Sequence, residues 1–209
     1  MKLYIVRHGE TDWNKERRLQ GKTDIPLNEF GRKLAVETAS GLADVTFDVA
    51  YTSPLIRAKE TAEIIKKADT LLLEDDRIKE ISFGIYEGLC CAKENWEIPD
   101  NGFENFFFHP ENYIPPEGGE TFISVINRVS DFLDEITTKP EHEAKTVLIV
   151  CHGVVVNAFL KIIKKRALSE FWQDKVQNNC AVNIIDVTDG ELIVVEEGIT
   201  YYVDKVEAW

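Results

Sequence analysis

LYIVRHGE, residues 3–10, is the segment of this sequence that decides the fold class. Its first four residues form an unbroken apolar run, which is typical of a strand covered on both faces, and the run stops abruptly at polar residues. Similar runs occupy residues 49–52, 71–73 and 147–150, and helical patterns lie between them. Strands that alternate with helices predict an α/β fold, a three-layer sandwich with a mostly parallel sheet and helices on both faces.

Capping residues indicate where the helices begin. Asn28 is expected to cap a helix that continues to about Leu42. Ser53 and Pro54 predict the cap and the first residue of the next helix, because proline is tolerated at that first position. Apolar residues at three- and four-residue steps predict two further helices, over residues 122–136 and from 153 to about 163.

The end of the sequence predicts a hairpin. Residues 181–187 and 192–195 have strand character, and they flank the turn pair Asp189-Gly190. A hairpin at this position would give the otherwise parallel sheet an antiparallel edge.

Residues from about 85 to 119 interrupt the alternation of strands and helices. This stretch is rich in proline, glycine and aromatic residues, and it predicts an inserted, partly helical cap whose rings form a small core of their own. With this insertion, residues 1–209 are expected to form one domain. The rings of the predicted cap are Tyr86, Trp96, Phe103, Phe106, Phe107, Phe108 and Tyr113.

Charge and composition exclude several classes of function. The sequence has 24 Lys+Arg against 37 Asp+Glu, a formal net charge of −13. Such a balance argues against nucleic acid and anionic lipid as partners, because both require a basic surface. No apolar stretch reaches the roughly 18 residues of a membrane span, and no signal peptide is evident. Cys90, Cys91, Cys151 and Cys180 lack metal or redox spacing, so the expected location is the reducing cytoplasm.

Polar residues follow three of the predicted strands. Arg7 and His8 come after the first, Arg57 lies in the first helical turn after the second, and His152 and Gly153 come after the fourth. In α/β sheets of this type, ligands bind beyond the carboxyl ends of the strands, so these side chains are expected to converge on one site.

Phosphoryl transfer is the chemistry that suits this set of residues. Guanidinium forks match phosphate oxygens, and a helix N-terminus supplies free N–H groups. A neutral imidazole can attack phosphorus and form a phosphohistidine. The adjacent guanidiniums would keep that imidazole unprotonated, and a nearby carboxylic acid is needed to protonate the leaving oxygen.

The segment RHGETDWN, residues 7–14, resembles the R-H-G-E-[ST]-x-W-N signature of the histidine phosphatase superfamily, in its phosphoglycerate-mutase-like branch. Further blocks follow in the family's order over about residues 2–163. They are Gln20-Gly21; Asp24-x-Pro26-Leu27-Asn28-x-x-Gly31; Thr52-Ser53-Pro54-Leu55-x-Arg57-Ala58-x-x-Thr61-Ala62; Glu80-x-x-Phe83-Gly84-x-x-Glu87-Gly88; Gly118-Gly119-Glu120; and Val150-Cys151-His152-Gly153.

This resemblance implies a role for each matching residue. His8 would be the nucleophile that becomes phosphorylated, and Arg7, Arg57 and His152 would bind the phosphoryl group. Glu80 would protonate the leaving oxygen and later activate water. The family implies neither metal nor cofactor, and the arginines beside the histidines would repel a cation. The expected phosphate or substrate contacts, with loop shaping as the alternative role for some, are Asn14, Gln20, Gly21, Thr11 and Gly153.

The expected activity is hydrolysis of a small phosphomonoester. Residues 78–127 contain no arginine and only two lysines, and such an acidic, aromatic cap favours a substrate with little negative charge besides its phosphate. The alternatives are a cofactor-dependent phosphoglycerate mutase, an alpha-ribazole phosphatase and a non-catalytic binder of phosphorylated ligands. The oligomeric state stays open, with a homodimer as one alternative. Glu120 is expected in the first turn of its helix, and His109 and His142 on the surface.

Overall fold

A six-stranded, mostly parallel sheet carries the fold. The computed structural model describes residues 1–99, 102–173 and 175–203. In these residues the strands are β1 (Lys2–Arg7), β2 (Val49–Thr52), β3 (Leu72–Glu74), β4 (Thr146–Cys151), β5 (Val182–Thr188) and β6 (Glu191–Ile199), in the order β3-β2-β4-β1-β5-β6. The first four pair in parallel, and β5 and β6 form the antiparallel edge. The predicted hairpin edge is confirmed.

Helices cover both faces of this sheet. None of the helices in the described ranges is both long and apolar enough to cross a membrane. The α-helices are α1 (Asp12–Lys15), α2 (Glu29–Gly41), α3 (Ile56–Ile65), α4 (Asn105–Phe108), α5 (Phe122–Thr138) and α6 (Gly153–Ile163). Single-turn 3₁₀ helices occur at Asp76–Ile78, Gly84–Tyr86, Lys93–Asn95, Pro110–Asn112, Pro140–His142 and Leu168–Glu170.

The alternation of side chains along β1 separates two cores. Leu3 and Ile5 lie in a cluster with buried residues of α5 and α6. Tyr4 and Val6 point to the opposite face and lie in a second cluster with buried residues of α3 and with Leu42, which follows α2. The predicted three-layer sandwich is therefore confirmed.

One of the two expected helix caps is confirmed, and the other is wrong in position. Asn28 caps α2, and its Oδ1 accepts a hydrogen bond from Gly31 N at 2.7 Å. Ser53 and Pro54 do not begin α3. That helix starts at Ile56, although the Ser53 hydroxyl accepts a hydrogen bond from Leu55 N at 3.3 Å and also lies 2.7 Å from His152 Nε2.

The sequence predicts Glu120 in the first turn of α5, but the structure places this residue before the helix begins. Thr121 is the cap of that helix, and its hydroxyl accepts a hydrogen bond from Ser124 N. Glu120 precedes the cap and pairs with Arg128 at 2.9 Å. An ion pair with a later turn of the same helix has therefore replaced the expected interaction with the helix dipole.

The rings of the predicted cap do not form a separate core. Phe103 and Phe106 are buried in the same cluster as the strands. Phe106 stacks on Phe122 of α5 with ring centroids 5.1 Å apart, and Phe122 lies 4.5 Å from Phe171. The helix α5 thus joins these rings to the main core. The boundaries of the insertion at 85–119, and one domain over residues 1–209, stay predictions.

One of the two histidines expected on the surface is buried. His109 is exposed, but His142 retains only 3% of its accessible surface. Its Nδ1 lies 3.0 Å from the carbonyl oxygen of Ile136, and its Nε2 lies 3.3 Å from the hydroxyl of Tyr51. The short 3₁₀ turn before β4 folds this ring back onto the core, which the local sequence does not reveal.

Candidate active site

The site lies where three neighbouring parallel strands end. Val6 of β1 and Thr52 of β2 are both paired with Val150 of β4. The residues that follow these strands therefore leave the sheet at the same edge. This register brings together His8 and His152, whose ring centroids are 5.1 Å apart.

His8 is held as a neutral imidazole of defined tautomer. Its Nδ1 is 2.7 Å from the carbonyl oxygen of Gly9. A carbonyl only accepts hydrogen bonds, so Nδ1 carries the proton and Nε2 keeps its lone pair. Burial lowers the pKa of His8 well below its usual value, and the charges of Arg57 and Arg7 lower it further. The result is an imidazole whose Nε2 can act as a nucleophile.

Two buried guanidiniums stand beside His8. Arg57 donates to the carbonyl oxygens of Thr23 at 2.9 Å and Gly21 at 2.7 Å, and Arg7 donates to the carbonyl of Gln177. Burial lowers the pKa of each arginine to about 10, so both stay charged at neutral pH. The Nε atom of each is buried without a hydrogen-bond partner. Two buried guanidiniums that line one cavity suit an anion with several oxygens.

Further buried polar atoms at the site lack partners. They are Oε1 of Gln20 and Nδ1 of His152. Burial, followed by the charge of Arg57, lowers the pKa of His152 well below its usual value, so this ring is also neutral. Its Nε2 is bonded to the Ser53 hydroxyl. Buried polar atoms without a partner are uncommon in folded proteins, and these two belong to residues that the sequence assigns to the site.

Glu80 supplies a carboxyl group to the same site. Its Oε1 accepts from the backbone N–H of Ile81 at 3.0 Å, and its Oε2 accepts from that of Val154 at 3.2 Å. Burial nevertheless raises the pKa of Glu80, against the opposing effect of these N–H groups and of the arginines. The raised pKa increases the fraction of protonated carboxylic acid, which is the form able to donate a proton.

Most of the predicted site residues line one cavity of about 60 Å³. This volume has room for about four or five water-sized groups, which suits a phosphoryl group. Of the ten predicted residues, His152 and Thr11 are not in its wall. Thr11 caps α1, and its backbone N and hydroxyl both lie 3.1 Å from Asn14 Oδ1. The predicted residues that do line the cavity are Arg7, His8, Asn14, Gln20, Gly21, Arg57, Glu80 and Gly153.

A carboxylate at Glu87 fixes the loop that carries Gln20 and Gly21. It accepts from the backbone N–H groups of Lys22 at 3.0 Å and Thr23 at 2.9 Å. It also accepts from the N–H of Phe83 at 3.1 Å, three residues after Glu80. One side chain therefore connects the loop that holds Arg57 to the segment that carries the acid. The sequence block contains Glu87, but sequence reasoning assigned it no role.

Sequence reasoning missed the apolar wall and one cation. Arg18 is in the wall, and it donates to Glu16 at 2.7 Å, to Glu97 at 3.1 Å and to the carbonyl of Gly88 at 2.7 Å. Its position two residues before Gln20 was a usable signal. The residues after 163 carried none, because they lie beyond the recognisable blocks. The missed residues of the wall are Arg18, Leu19, Phe83, Phe106, Phe107, Val154, Trp172 and Val176.

In the described parts of the chain, no group of three or more His, Cys, Asp or Glu side chains is placed to hold a metal ion. The polar groups of the cavity are instead three guanidiniums, an imidazole, a carboxyl group and amides. This set offers hydrogen-bond donors to an anion, together with one nucleophile and one acid.

Comparison with known proteins identifies relatives over nearly the whole chain. The family model described as histidine phosphatase superfamily, branch 1, matches residues 3–200. The uncharacterized phosphatase PhoE of Bacillus subtilis is 37% identical, over 86% of this chain and 86% of its own length. Phosphoserine phosphatase 1 of Hydrogenobacter thermophilus is 33% identical, over 98% of this chain and 95% of its own.

Solved structures of other proteins also superpose on nearly the whole chain. Bacillus stearothermophilus YhfR superposes with a TM-score of 0.87 at 36% identity, covering 96% of this chain and 98% of its own. A phosphoserine phosphatase from Entamoeba histolytica, in complex with 3-phosphoglyceric acid, superposes with a TM-score of 0.81 at 27% identity. That match covers 95% of this chain and 97% of the other.

Proposed function

We propose, because the chain belongs to branch 1 of the histidine phosphatase superfamily, that it hydrolyses small phosphomonoesters through a phosphohistidine on His8. The observation that supports this most strongly is that one cavity is lined by the neutral imidazole of His8, the buried guanidiniums of Arg7 and Arg57 and the carboxyl group of Glu80. A phosphoryl group in this cavity would meet a nucleophile, two cations and an acid.

In the first step of the proposed mechanism, Nε2 of His8 attacks phosphorus and the bond to the ester oxygen breaks. Glu80 donates its proton to the departing alkoxide, and the alcohol leaves. Arg7 and Arg57 neutralise the phosphoryl oxygens throughout, and the N-terminus of α6 at Gly153 faces the same cavity. The depressed pKa of His8 keeps the nucleophile unprotonated.

In the second step, the Glu80 carboxylate takes a proton from water, and this water attacks the phosphohistidine. The phosphorus–nitrogen bond breaks, inorganic phosphate leaves, and His8 returns to its starting tautomer. We assign His152, through its neutral ring beside His8, to the binding of the transferring group, and Asn14, Gln20 and Gly21 to contacts with phosphate or substrate. Thr11 acts through Asn14, which it holds in place.

Phosphatase activity is favoured over mutase activity because relatives matched over most of the chain are named as phosphatases. Other relatives are named as phosphoglycerate mutases or as similar to them. A screen of phosphorylated metabolites, including 3-phosphoglycerate with and without 2,3-bisphosphoglycerate, separates the two activities.

A cytoplasmic location is part of this proposal, and it is supported by four cysteines that are free thiols.

The proposal is tested with phenyl phosphate and the variant His8→Ala. The native protein should release phosphate in the presence of a chelator and should yield an acid-labile phosphoenzyme when quenched. Loss of the nucleophile should reduce turnover by at least about 10⁴-fold and abolish the phosphoenzyme. Retained turnover in His8→Ala would exclude the phosphohistidine, and activity that required added metal would contradict the proposed mechanism.

A further inference from the structure

A larger cleft lies next to the catalytic cavity. It has a volume of about 670 Å³, which lies in the range of small-molecule sites. The cavity and this outer cleft share three wall residues, Phe107, Trp172 and Val176. A phosphate bound at His8 would therefore place its organic substituent towards the outer cleft.

The outer cleft has aromatic walls that are costly to leave in water. Phe108 is 73% exposed and Trp96 is 37% exposed, and both rings line the cleft together with Phe107 and Trp172. Large apolar side chains exposed together on one surface indicate a binding site. Flat rings of this kind pack against the face of another planar group.

The rim of the outer cleft is positively charged, in contrast to the molecule as a whole. Among the described residues that line it, three side chains are cationic, Arg17, Lys93 and Lys175, and one, Glu104, is a carboxylate. Only Lys93 lies in the 78–127 window on which the sequence expectation of a substrate with little further charge was based. The fold brings Arg17 from the loop after α1 and Lys175 from the segment after α6. The residues 78–127 therefore could not reveal the sign of the charge around the cleft.

This inference rests on the proposed function. We propose that the outer cleft binds the leaving group of the substrate and selects for a second negative charge at the far end of that leaving group. The preferred substrate is an extended phosphomonoester whose alcohol carries a planar apolar group and, beyond it, a carboxylate or another anion. The phosphate occupies the cavity at His8, the planar group lies between Phe107 and the other rings, and the distal anion meets the cationic rim.

A matched set of aryl phosphates tests this proposal. The probes are phenyl phosphate, 4′-carboxybiphenyl-4-yl phosphate and its 4′-carboxamide, the last having the same shape without the charge. At low ionic strength, kcat/KM should be about tenfold higher for the carboxylate than for the carboxamide, since three cations contribute modestly each. In about 0.5 M KCl this ratio should fall towards one, because salt screens exposed charges.

Lysine variants assign the effect to the rim. Lys175→Gln and Lys93→Gln should each lower the ratio of carboxylate to carboxamide about threefold. Lys165→Gln is the matched control, because Lys165 is exposed and shares with Lys175 a positive φ, 54° against 61°, but it does not line the cleft. It should leave the ratio and the activity unchanged. Equal kcat/KM for the two biphenyl esters, or an advantage that survives in the double variant Lys93→Gln/Lys175→Gln, would overturn the proposal.

A binding measurement separates this proposal from the proposed function. The phosphate-free product 4′-hydroxybiphenyl-4-carboxylate should quench the fluorescence of Trp96 and Trp172 and bind about tenfold more tightly than its carboxamide, whether or not the protein is catalytically active. Absence of hydrolysis with all three esters would defeat the phosphatase assignment. Normal hydrolysis of phenyl phosphate without preferential binding of the carboxylate would contradict only the proposal that the outer cleft selects for a second negative charge.

Discussion

Burial is the largest influence on the pKa of both His8 and Glu80, and it moves each in the direction that the first chemical step requires. A low-dielectric environment disfavours the charged form of any side chain, so the pKa of the imidazole falls and that of the carboxyl group rises. The nucleophile is thereby kept neutral, and the acid keeps a larger protonated fraction. Two groups with opposed roles thus obtain their protonation states from the same physical cause.

The role of Glu80 predicts a dependence on the leaving group. In Glu80→Gln, transfer of phosphate from an alkyl phosphate to His8 should slow by about 10²–10⁴-fold, because the alkoxide leaves without a proton. Transfer from 2,4-dinitrophenyl phosphate should change little, because that phenolate needs no proton to leave. Rapid-quench measurement of the phosphorylation step checks both, and a stoichiometric burst of dinitrophenolate is expected. Equal slowing with both esters would exclude Glu80 as the acid.

The same residue predicts the pH dependence of that step. The acid is lost as pH rises through the raised pKa of Glu80, so phosphorylation by an alkyl phosphate should slow on the alkaline side. His8 stays unprotonated down to well below its usual pKa, so it should not limit the rate at mildly acidic pH. The alkaline limb should disappear in Glu80→Gln, and its persistence would assign it to another group.

The sequence predicts which residues form this site better than it predicts their state. Strand ends and motif blocks point to His8, Arg57 and Glu80, and all three line one cavity. The tautomer of His8 depends on the carbonyl of Gly9, and the position of the Glu80 carboxylate depends on the first turn of α6 at Val154. Both are set by backbone geometry, which no side-chain pattern records.

At the scale of elements, the loop at residues 20–23 is the part on which the geometry of Arg57 depends. The carbonyls of Gly21 and Thr23 hold the guanidinium, and Glu87 holds the loop. Gly21 has a φ of +52°, and a methyl group there would lie 2.1 Å from Glu87 Oε1. The absence of a side chain at Gly21 therefore allows both the turn and the approach of the carboxylate.

Gly21→Ala should therefore lose activity because it displaces Glu87. The same substitution at Gly190 shows how much of the effect comes from backbone strain alone. Gly190 has a φ of +78° with nothing near its Cβ position, so alanine at either position should cost about 1 kcal/mol or more of backbone strain. Only Gly21→Ala displaces Glu87, and its kcat/KM for phenyl phosphate should fall about 10²-fold. Thermal unfolding and steady-state kinetics of the two variants provide the comparison. Equal activity in both would show that Glu87 does not position Arg57.

The elements themselves were largely predictable, because apolar periodicity and caps are local signals. The predicted strand at residues 49–52 has the observed bounds of β2, and Asn28 caps α2 as expected. The start of α3 was misplaced: the Ser53 hydroxyl accepts from Leu55 N but also bonds to His152, 99 residues away, and the helix begins at Ile56. A cap residue that is used in a tertiary contact cannot be recognised from its neighbours in sequence.

At the scale of the whole molecule, the net charge of −13 coexists with two cationic regions. Arg7 and Arg57 lie in the cavity, and Arg17, Lys93 and Lys175 lie on the outer cleft. These five residues come from separate segments of the chain, and only the fold brings them together. A field of negative overall sign does little to steer anions from a distance, so capture depends on these short-range contacts.

The continuity between the cap rings and the main core predicts how the molecule unfolds. Phe103 is fully buried and belongs to the same cluster as Leu3 and Ile5 of β1. Phe103→Ala should therefore destabilise the whole protein by about 3–5 kcal/mol, and each kcal/mol lowers the melting temperature by about 2–4 °C in a chain of this size. Phe108→Ala is the control, because a ring that is 73% exposed should cost less than about 0.5 kcal/mol.

The two structural interpretations of the cap differ in the number of transitions. Two of the four tryptophans, Trp96 and Trp172, lie near the cap, whereas far-ultraviolet circular dichroism reports on the sheet and helices. With one shared core, tryptophan fluorescence and circular dichroism should give one coincident transition in Phe103→Ala. A cap with a core of its own would melt first by fluorescence and leave the circular dichroism transition at the native temperature. That result would restore the separate core that the sequence had indicated.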